Sequence, residues 1–382
     1  MHRTTGTYQR TSTAGEDVLA FVPAPLSPRD PPLVIAGDLA ALHAEALAAV
    51  SRLDVAAAMV PDAHWFLYGF VRKESLLTSE IEGTQATLED VVAFEATGQA
   101  DRPDDAQEVC NYVSALTYAR KELASANGLP LSTRLLCEAH KRLMRGVRGA
   151  EKRPGEIRRS QNWIGGTRPG NARYVPPPPD RVPALLAQLE KWIHAKDPLP
   201  PLVRTGLAHV QFETIHPFLD GNGRIGRLLI ALLLEHWRLL TNPLLYLSVA
   251  LKRHQREYYE RLSAVRTDGD WEGWTSFYLE CVREAADDGL RVAKTIFALV
   301  HDDRARLIRS SAVTLPAVEL LDLLPAHPVV TLSSTVDLLR VTKPTAAKAI
   351  AALRATSILR ETSGKRRDRV YVYDAYMRAL GD

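Results

Sequence analysis

The residues from Thr214 to Arg227, TIHPFLDGNGRIGR, combine acidic, basic and imidazole side chains around a glycine turn. A proline-free and almost wholly apolar run, RIGRLLIALLLEHWRLL, extends from this turn and predicts a buried helix that begins at the glycines. The free N–H groups and the positive dipole end of such a helix favour an anion. The segment therefore predicts a phosphate site.

Four side chains of this segment could act on a phosphate group. Arg224 and Arg227 are three residues apart and share one face of the first helical turn, where their guanidinium groups suit phosphate oxygens. Asp220 could hold a Mg²⁺ ion that bridges phosphates, and His216 is a natural general base. The same pattern also fits a helix N-cap at Asp220 with two solvated arginines. The segment is not a Walker A loop, because it lacks the sequence GxxxxGKS or GxxxxGKT.

Within the segment, HPFLDGNGRIGR matches the signature His-x-Phe-x-Asp/Glu-Gly-Asn-Gly-Arg-x-x-Arg at every position, and the chain therefore resembles the Fic (Fido-fold) family. The resemblance implies a protein adenylyltransferase, which uses ATP and Mg²⁺ to transfer AMP to a hydroxyl side chain of a target protein. It implies a catalytic base at His216 and a metal ligand at Asp220. It also implies nucleotide contacts at Gly221, Asn222, Gly223, Arg224, Ile225, Gly226, Arg227 and His254. Of these, His254 stands where the family often has Asn.

A second motif, TSEIEG, ends a helix that is predicted to run from about residue 63 to Gly83. Thr78 and Glu82 are four residues apart and share a helical face, which is also the pattern of an ordinary amphipathic helix. The resemblance implies an inhibitory helix, Ser/Thr-x-x-x-Glu-Gly/Asn, with Thr78, Glu82 and Gly83 at its fixed positions. In the family, this Glu pairs with the second signature arginine, here Arg227, and so competes with the γ-phosphate of the nucleotide.

Residues 155–176 carry β-prone side chains on either side of a Gly/Asn/Pro turn, which predicts a β-hairpin with a long tip. The pattern alone is that of any surface hairpin. The resemblance implies a flap that docks a segment of the target protein by strand pairing and holds the target hydroxyl near His216.

Residues from about 310 onward predict three helices and then two short strands around Ser363-Gly364, a pattern that resembles a winged helix-turn-helix. Basic residues outnumber acidic ones between Lys343 and Arg369. Four of them lie at the predicted wing: Lys365, Arg366, Arg367 and Arg369. The unit could bind DNA through its third helix and wing, or it could serve as an interaction or dimerisation module with a solvated basic wing.

Composition sets outer limits on the function. The chain has 382 residues, enough for two or three domains, and its 46% of apolar residues exclude a disordered chain. The net charge of +3 does not by itself indicate nucleic-acid binding. The three cysteines are scattered, the N-terminus lacks an apolar signal core, and no apolar run reaches about 20 residues. These features favour a cytoplasmic protein without a membrane span.

The sequence thus predicts a mainly α-helical protein with a Fido-fold core, a β-hairpin flap and a C-terminal winged helix-turn-helix domain. The expected domains are an extended proline-rich lead-in (1–32), an N-terminal helical region with the inhibitory helix (33–130), a catalytic core (131–308) and a winged-helix domain (309–382). The expected activity is AMP transfer restrained by Glu82, with self-modification and a homodimer as further expectations. The alternatives are transfer of another nucleotide such as UMP, removal of AMP with the help of Glu82, a DNA-binding regulator whose core only senses a nucleotide, and a metal hydrolase built on His209, His216 and Asp220.

Overall fold

The computed structural model describes residues 3–58, 64–98, 100–364 and 368–381, and these are mainly helical. The elements before the signature are β1 (Gly6–Thr13), β2 (Glu16–Pro23), α1 (Gly37–Ala58), α2 (His64–Ile81), α3 (Leu88–Thr97), α4 (Pro103–Ala124), α5 (Thr133–Leu143), α6 (Val182–His194) and α7 (Pro201–Ile215). The following elements are α8 (Asn222–His236), α9 (Ser248–Arg253), α10 (Gln255–Asp268), α11 (Trp271–Arg309), α12 (Leu315–Leu323), β3 (Val329–Thr331), α13 (Leu332–Leu339), α14 (Lys343–Ala355), β4 (Arg360–Glu361), β5 (Val370–Val372) and α15 (Asp374–Gly381). The prediction of a mainly α-helical fold is confirmed.

The N-terminal lead-in forms an antiparallel hairpin, β1 with β2, in which Gly6 pairs with Pro23 and Thr13 with Glu16. Ala14 and Gly15 connect the strands with φ of 51° and 80°, and two positive φ values match the right-handed twist of the strands. The sequence predicted only an irregular or extended lead-in, because an Ala-Gly turn is a weaker hairpin signal than Asn-Gly or Asp-Gly.

Helices α7 and α8 form the centre of the molecule and pack against each other. Nearly all side chains of α7 are buried, and most of those of α8 are buried as well. The 39-residue helix α11 crosses α7 closely, since a Cβ on Gly206 would lie only 2.7 Å from the ring of Tyr278. One continuous cluster of buried apolar side chains extends from Leu33 to Leu380. The two helices that flank the signature loop are therefore held in the interior of the molecule.

Helix α2 lies against α4, α8, α9 and α15. Glu74 joins it to the start of α9, because its carboxylate accepts hydrogen bonds from the backbone N–H of Ser248 at 3.0 Å and from the Ser248 hydroxyl at 2.6 Å. The helix stops just before Gly83, whose φ of 100° suits glycine. Glu82, the last residue before that glycine, is consequently at the C-terminal end of α2, next to α8.

The C-terminal residues form α12, α13 and α14 with a three-stranded sheet of order β3-β5-β4. The sequence predicted the three helices and two of the strands, but not β3 or α15. Strand β3 runs directly into α13, so no turn residues separate the two elements in the sequence. Lys365, Arg366 and Arg367 of the predicted wing lie outside the described residues. Within the described ranges, no helix is both long enough and apolar enough to cross a membrane.

Candidate functional site

His216 lies at the C-terminal end of α7 in the left-handed backbone conformation, with φ of 49° and ψ of 62°. Its N–H donates to the carbonyl of Phe212 at 2.9 Å, and its own carbonyl accepts a hydrogen bond from Nε of Arg158 at 2.9 Å. Burial, reinforced by the charge of Arg158, lowers the pKa of His216 to about 4. The imidazole is therefore neutral near pH 7 and can accept a proton.

The loop from α7 to α8 is fixed by side chains on both sides. The Asn222 side chain accepts from the N–H of Phe218 at 2.8 Å and donates to the carbonyl of Phe218 at 2.9 Å. His140 stacks on the Phe218 ring with 3.9 Å between centroids. Since Nδ1 of His140 accepts from the N–H of Gly155, its Nε2 carries the proton and donates to the Asp220 carbonyl at 3.0 Å. Sequence reasoning missed His140, because only the folded chain brings it to this loop.

The first turn of α8 presents backbone N–H groups that have no acceptor inside the helix. The predicted phosphate cradle was Gly221, Asn222 and Gly223. The N–H of Gly221 donates to Oδ1 of Asp220 at 2.7 Å, whereas those of Asn222 and Gly223 belong to the first turn of α8. At Gly223 the helix is approached by a carboxylate, because a Cβ on this residue would lie 2.2 Å from Oε1 of Glu82. Glu82 thus occupies the position beside the helix N-terminus that an anion favours.

Arg227 is buried and contacts both Thr78 and Glu82 of the TSEIEG motif. Its Nη2 lies 2.6 Å from Oε1 of Glu82 and donates to the Thr78 carbonyl at 3.0 Å, while its Nε donates to Oγ1 of Thr78 at 2.5 Å. Burial works against the charge, but the Glu82 carboxylate more than compensates and raises the pKa of Arg227. The structure therefore brings Thr78, Glu82 and Arg227 together as the sequence predicts.

Arg224 is directed to a different carboxylate. Its Nη1 lies 3.2 Å from Oε2 of Glu108 on α4, and its Nη2 lies 4.0 Å from Oδ1 of Asp220. Only 4% of the Arg224 side chain is exposed. Glu108 was not predicted, since α4 precedes the signature by about a hundred residues and carries no motif of its own.

A cavity of about 610 Å³ opens beside His216. It is lined by three groups of residues: Glu82 with Gly223 and Arg227, the segment around Ile164 and Tyr174, and the α10 side chains Arg256, Tyr258, Tyr259, Glu260, Ser263 and Arg266. The size and mixed lining suit a nucleotide-sized ligand whose phosphates point to α8.

Of the eight predicted nucleotide contacts, Gly223 and Arg227 line this cavity, whereas Gly221, Asn222 and Arg224 lie outside its lining, and so do Ile225, Gly226 and His254. His254 faces a separate cleft, where its Nε2 lies 3.1 Å from Oε2 of Glu284. Ile225 is fully buried in the apolar core, and Gly226 packs against Glu213 and His209. Helical periodicity explains the positions of Ile225 and Gly226, because these two residues lie on the side of α8 opposite to the face that carries Arg224 and Arg227. The structure therefore places Ile225, Gly226 and His254 away from the cavity beside His216.

Glu213 lines the cavity but was not predicted. It precedes His216 by one helical turn, and its Oε1 is buried without a hydrogen-bond partner among the described residues. Burial raises the pKa of Glu213 to about 7, although the charge of Arg227 opposes this shift. The cavity therefore contains a second carboxyl group near Arg227, with a weaker tendency to ionise than an ordinary glutamate.

The predicted hairpin at residues 155–176 is reduced to one antiparallel bridge between Ile164 and Tyr174. Ile164 donates its N–H to the Tyr174 carbonyl at 2.8 Å, and the N–H of Phe21 on β2 donates to the Val175 carbonyl at 3.0 Å. The hydroxyl of Tyr174 donates to the Thr214 carbonyl at 2.5 Å. The segment is consequently held against α7 and β2 over the cavity, with a short ladder instead of a regular hairpin.

Asp220 is the residue that could hold a metal ion. Burial alone would raise its pKa, but the Lys152 ammonium and the N–H of Gly221 bring the pKa of Asp220 below its ordinary value. A charged, partly exposed carboxylate beside a phosphate site is the protein ligand that Mg²⁺ uses together with phosphate oxygens, so the residues present fit this ion.

The metal-hydrolase alternative depends on His209. This residue is fully buried, and its Nε2 lies 2.8 Å from the Tyr258 hydroxyl. Within the described ranges, no group of three or more His, Cys, Asp or Glu residues is placed to hold a metal ion. His209 thus acts as a core histidine that supports the tyrosine at the cavity.

Comparisons with known proteins agree with this geometry. Residues 130–234 match the model of the Fic/DOC family, and residues 40–121 match the model of the Fic/DOC family N-terminal region. The chain is therefore similar to the Fic/DOC family over these two ranges. Among solved structures, it is similar to a Fic family protein from Desulfovibrio desulfuricans, with 25% identity, a TM-score of 0.57, and coverage of 90% of this chain and 98% of that one. A Fic domain-containing protein from Bacteroides thetaiotaomicron has 18% identity and a TM-score of 0.53, covers 65% of this chain and 97% of its own, and shows the fold alone.

Two curated relatives are named protein adenylyltransferase Fic. The relative from Culex quinquefasciatus is 29% identical over 55% of this chain and 38% of its own length. The relative from Aedes aegypti is 31% identical over 48% of this chain and 34% of its own length. The chain thus spans less than two fifths of these relatives.

Proposed function

We propose that this protein is an adenylyltransferase that transfers AMP from ATP to a Ser, Thr or Tyr hydroxyl of a protein and is restrained by Glu82. The observation that carries the proposal is the Glu82 carboxylate seated on Arg227 and Gly223 beside a neutral His216. An arginine and a helix N-terminus that hold a carboxylate can hold phosphate in its place. The names of the curated relatives support the same chemistry.

In the transfer step, His216 accepts the proton of the target hydroxyl while the hydroxyl oxygen attacks the α-phosphorus of ATP. The bond between the α-phosphorus and the bridging oxygen breaks, and pyrophosphate leaves. The N–H groups of Asn222 and Gly223 donate hydrogen bonds to phosphate oxygens. Arg227 binds the γ-phosphate once Glu82 has moved away. Such positioning and charge stabilisation is what phosphoryl chemistry requires from a protein.

Asp220 would hold Mg²⁺, which would supply positive charge that stabilises phosphate groups during the transfer. Arg224, held by Glu108 on the same side as Asp220, adds a fixed positive charge near these phosphates. The chain itself thereby supplies a base, a carboxylate for the ion and two arginines within one loop and one helical turn.

The target segment would dock at residues 155–176. This proposal is supported by the position of Ile164, Gly165 and Arg173 on the rim of the cavity and by the single bridge at Ile164, which leaves strand-pairing groups beyond it. A segment paired there would bring its hydroxyl towards His216. The chain itself could be the target, so self-modification provides an assay that needs no partner.

The test uses ATP labelled at the α-phosphate with Glu82→Gly and Glu82→Gly/His216→Ala proteins. We expect label to enter the first protein and to be absent from the second, because only the first combines an open phosphate site with a base. UTP labelled in the same way, and AMP-modified protein as a substrate, distinguish the other nucleotide transfers and AMP removal. Equal labelling of both variants would contradict the mechanism.

A second candidate function is DNA binding by the C-terminal unit. The order α12, β3, α13, α14, β4, β5 is that of a winged helix, and Lys343 and Lys348 are exposed on its third helix, α14. Fluorescence anisotropy with a labelled duplex tests it. We expect weaker binding after Lys343→Ala/Lys348→Ala, and duplex binding that is unaffected by this change would exclude the contact.

A further inference from the structure

One carboxylate oxygen of Asp220, Oδ2, contacts the ammonium group of Lys152. The Nζ atom of Lys152 lies 2.8 Å from Oδ2, while Oδ1 accepts the hydrogen bond from the N–H of Gly221. Both carboxylate oxygens are therefore engaged before any nucleotide is present. A divalent ion that binds Oδ2 must share this oxygen with the ammonium group or replace it.

The position of Lys152 follows from the backbone that carries it. The N–H of Lys152 donates to the Gly149 carbonyl at 2.9 Å, which closes a turn. Gly149 has φ of 84° and lies so close to Asp220 that a Cβ would be 2.9 Å from Oδ2 and 2.8 Å from the Met144 methyl group. The turn packs directly on the carboxylate, and this contact keeps the ammonium group within reach of Oδ2.

The Lys152 ammonium group can move away from Asp220 more easily than the Arg224 guanidinium group can. The Lys152 side chain is 44% exposed and reaches Asp220 through a flexible four-carbon stem, whereas Arg224 is 4% exposed and bound to Glu108. An exposed ion pair of this kind contributes little to stability, so its replacement by a divalent ion costs little. Of these two cations, Lys152 is the exchangeable one.

We propose that Lys152 is a positioning residue that neutralises Asp220 in the nucleotide-free protein and exchanges with the metal ion of the incoming metal–nucleotide. This inference rests on the proposed function. Without Lys152, the Asp220 carboxylate would keep only the more distant Arg224 guanidinium as a compensating charge and would repel the phosphates more strongly. Lys152 and the metal ion are thus alternative cations at one carboxylate, and nucleotide binding should depend more strongly on metal when the lysine is absent.

The experiment measures the Kd for ATP by calorimetry, with Mg²⁺ and with EDTA, in a Glu82→Gly/His216→Ala background that opens the phosphate site and prevents turnover. Into this background are introduced Lys152→Ala, Lys152→Arg and, as a matched control, Lys191→Ala on the exposed surface of α6. The quantity compared is the ratio of the Kd without metal to the Kd with metal.

We expect Lys152→Ala to weaken metal-free binding at least about threefold and to raise the ratio by the same factor, which is the size expected for one exposed charge pair. Lys152→Arg and Lys191→Ala should leave the ratio unchanged. A ratio that stays constant in Lys152→Ala, with ATP still bound, would overturn this inference alone. Failure of the background protein to bind ATP under either condition would instead contradict the proposed function.

Discussion

At the scale of single residues, the site is built from ionisable groups whose charge states differ from those in water. His216 is kept neutral by burial, and Asp220 is kept ionised by Lys152 and the Gly221 N–H. Arg227 keeps its charge in a buried position because Glu82 faces it. A neutral base, an ionised carboxylate and a charged arginine are the states that proton transfer, metal binding and phosphate binding each require.

The pKa of His216 makes a prediction about stability. The value is about 4 in the folded protein and 6.5 ordinarily, so the unfolded chain binds the proton first as the pH falls. His216 therefore contributes stability above about pH 6.5, and this contribution is lost as the pH falls towards 4. We expect the free energy of unfolding of wild type, relative to His216→Asn, to decrease over that range in urea titrations. A difference that does not change with pH would show that the imidazole is not desolvated.

The shared helical face of Arg224 and Arg227 could be predicted, and the resemblance implied Glu82 beside Arg227, but the other partners of the signature residues could not be predicted. The spacing of Arg224 and Arg227 and the glycine turn are local, so the phosphate site follows from the sequence itself. Glu108, His140, Lys152 and Arg158 come from other parts of the chain and reach the loop only through tertiary packing. His254 was misplaced because its expected role depended on alignment with a family position and not on any local constraint.

At the scale of elements, the loop between α7 and α8 determines where the base and the phosphate site lie relative to each other. His216 ends one helix and Asn222 begins the next. The Asn222 side chain bonds to both backbone groups of Phe218, in the middle of the loop, and therefore fixes its shape. Asn222 thus serves the site through its side chain as a loop support, in addition to its backbone N–H.

Asn222→Ala tests this support. The substitution leaves the buried N–H of Phe218 without its acceptor, which costs about 1–3 kcal/mol of unfolding free energy, while the Phe218 carbonyl keeps the Asn162 side-chain amide as a donor at 3.2 Å. In the Glu82→Gly background, we also expect slower AMP transfer, since the distance between His216 and the first turn of α8 would no longer be fixed. Chemical denaturation and the labelling assay measure the two effects. Unchanged stability and unchanged transfer would show that the loop needs no such support.

At the scale of the whole molecule, the last helix, α15, joins the C-terminal unit to α2. Tyr376 and Leu380 of α15 are buried, and a Cβ on Gly69 of α2 would lie 2.5 Å from a Leu380 methyl group. The hydroxyl of Tyr373 donates to buried Asp303 on α11 at 2.7 Å. The helical fold could be predicted from apolar periodicity. Helix α15 could not, because it follows the strands that end the predicted winged helix. Its contact with α2 depends on the small size of Gly69, which only the folded chain places beside Leu380.

Leu380→Ala measures how strongly α15 is anchored. Leu380 is 1% exposed, and its truncation should cost about 2–5 kcal/mol of unfolding free energy, as for other buried leucines. Leu315→Ala is the matched control in the same C-terminal unit, because Leu315 is 72% exposed and should change stability by less than about 0.5 kcal/mol. Equal losses in urea denaturation for both variants would contradict the contact between α15 and α2.

The most direct test of the central claim is the affinity for ATP of wild type, Glu82→Gly and Glu80→Gly. Glu80 is the matched control, because it lies on the same helix but pairs with Lys252 instead of Arg227. If the Glu82 carboxylate occupies the phosphate site, calorimetry should show a Kd at least about tenfold lower for Glu82→Gly, a gain of about 1.4 kcal/mol, and no such change for Glu80→Gly. A Kd for Glu82→Gly equal to that of wild type would contradict the account, since the phosphate site would then be free of Glu82 already.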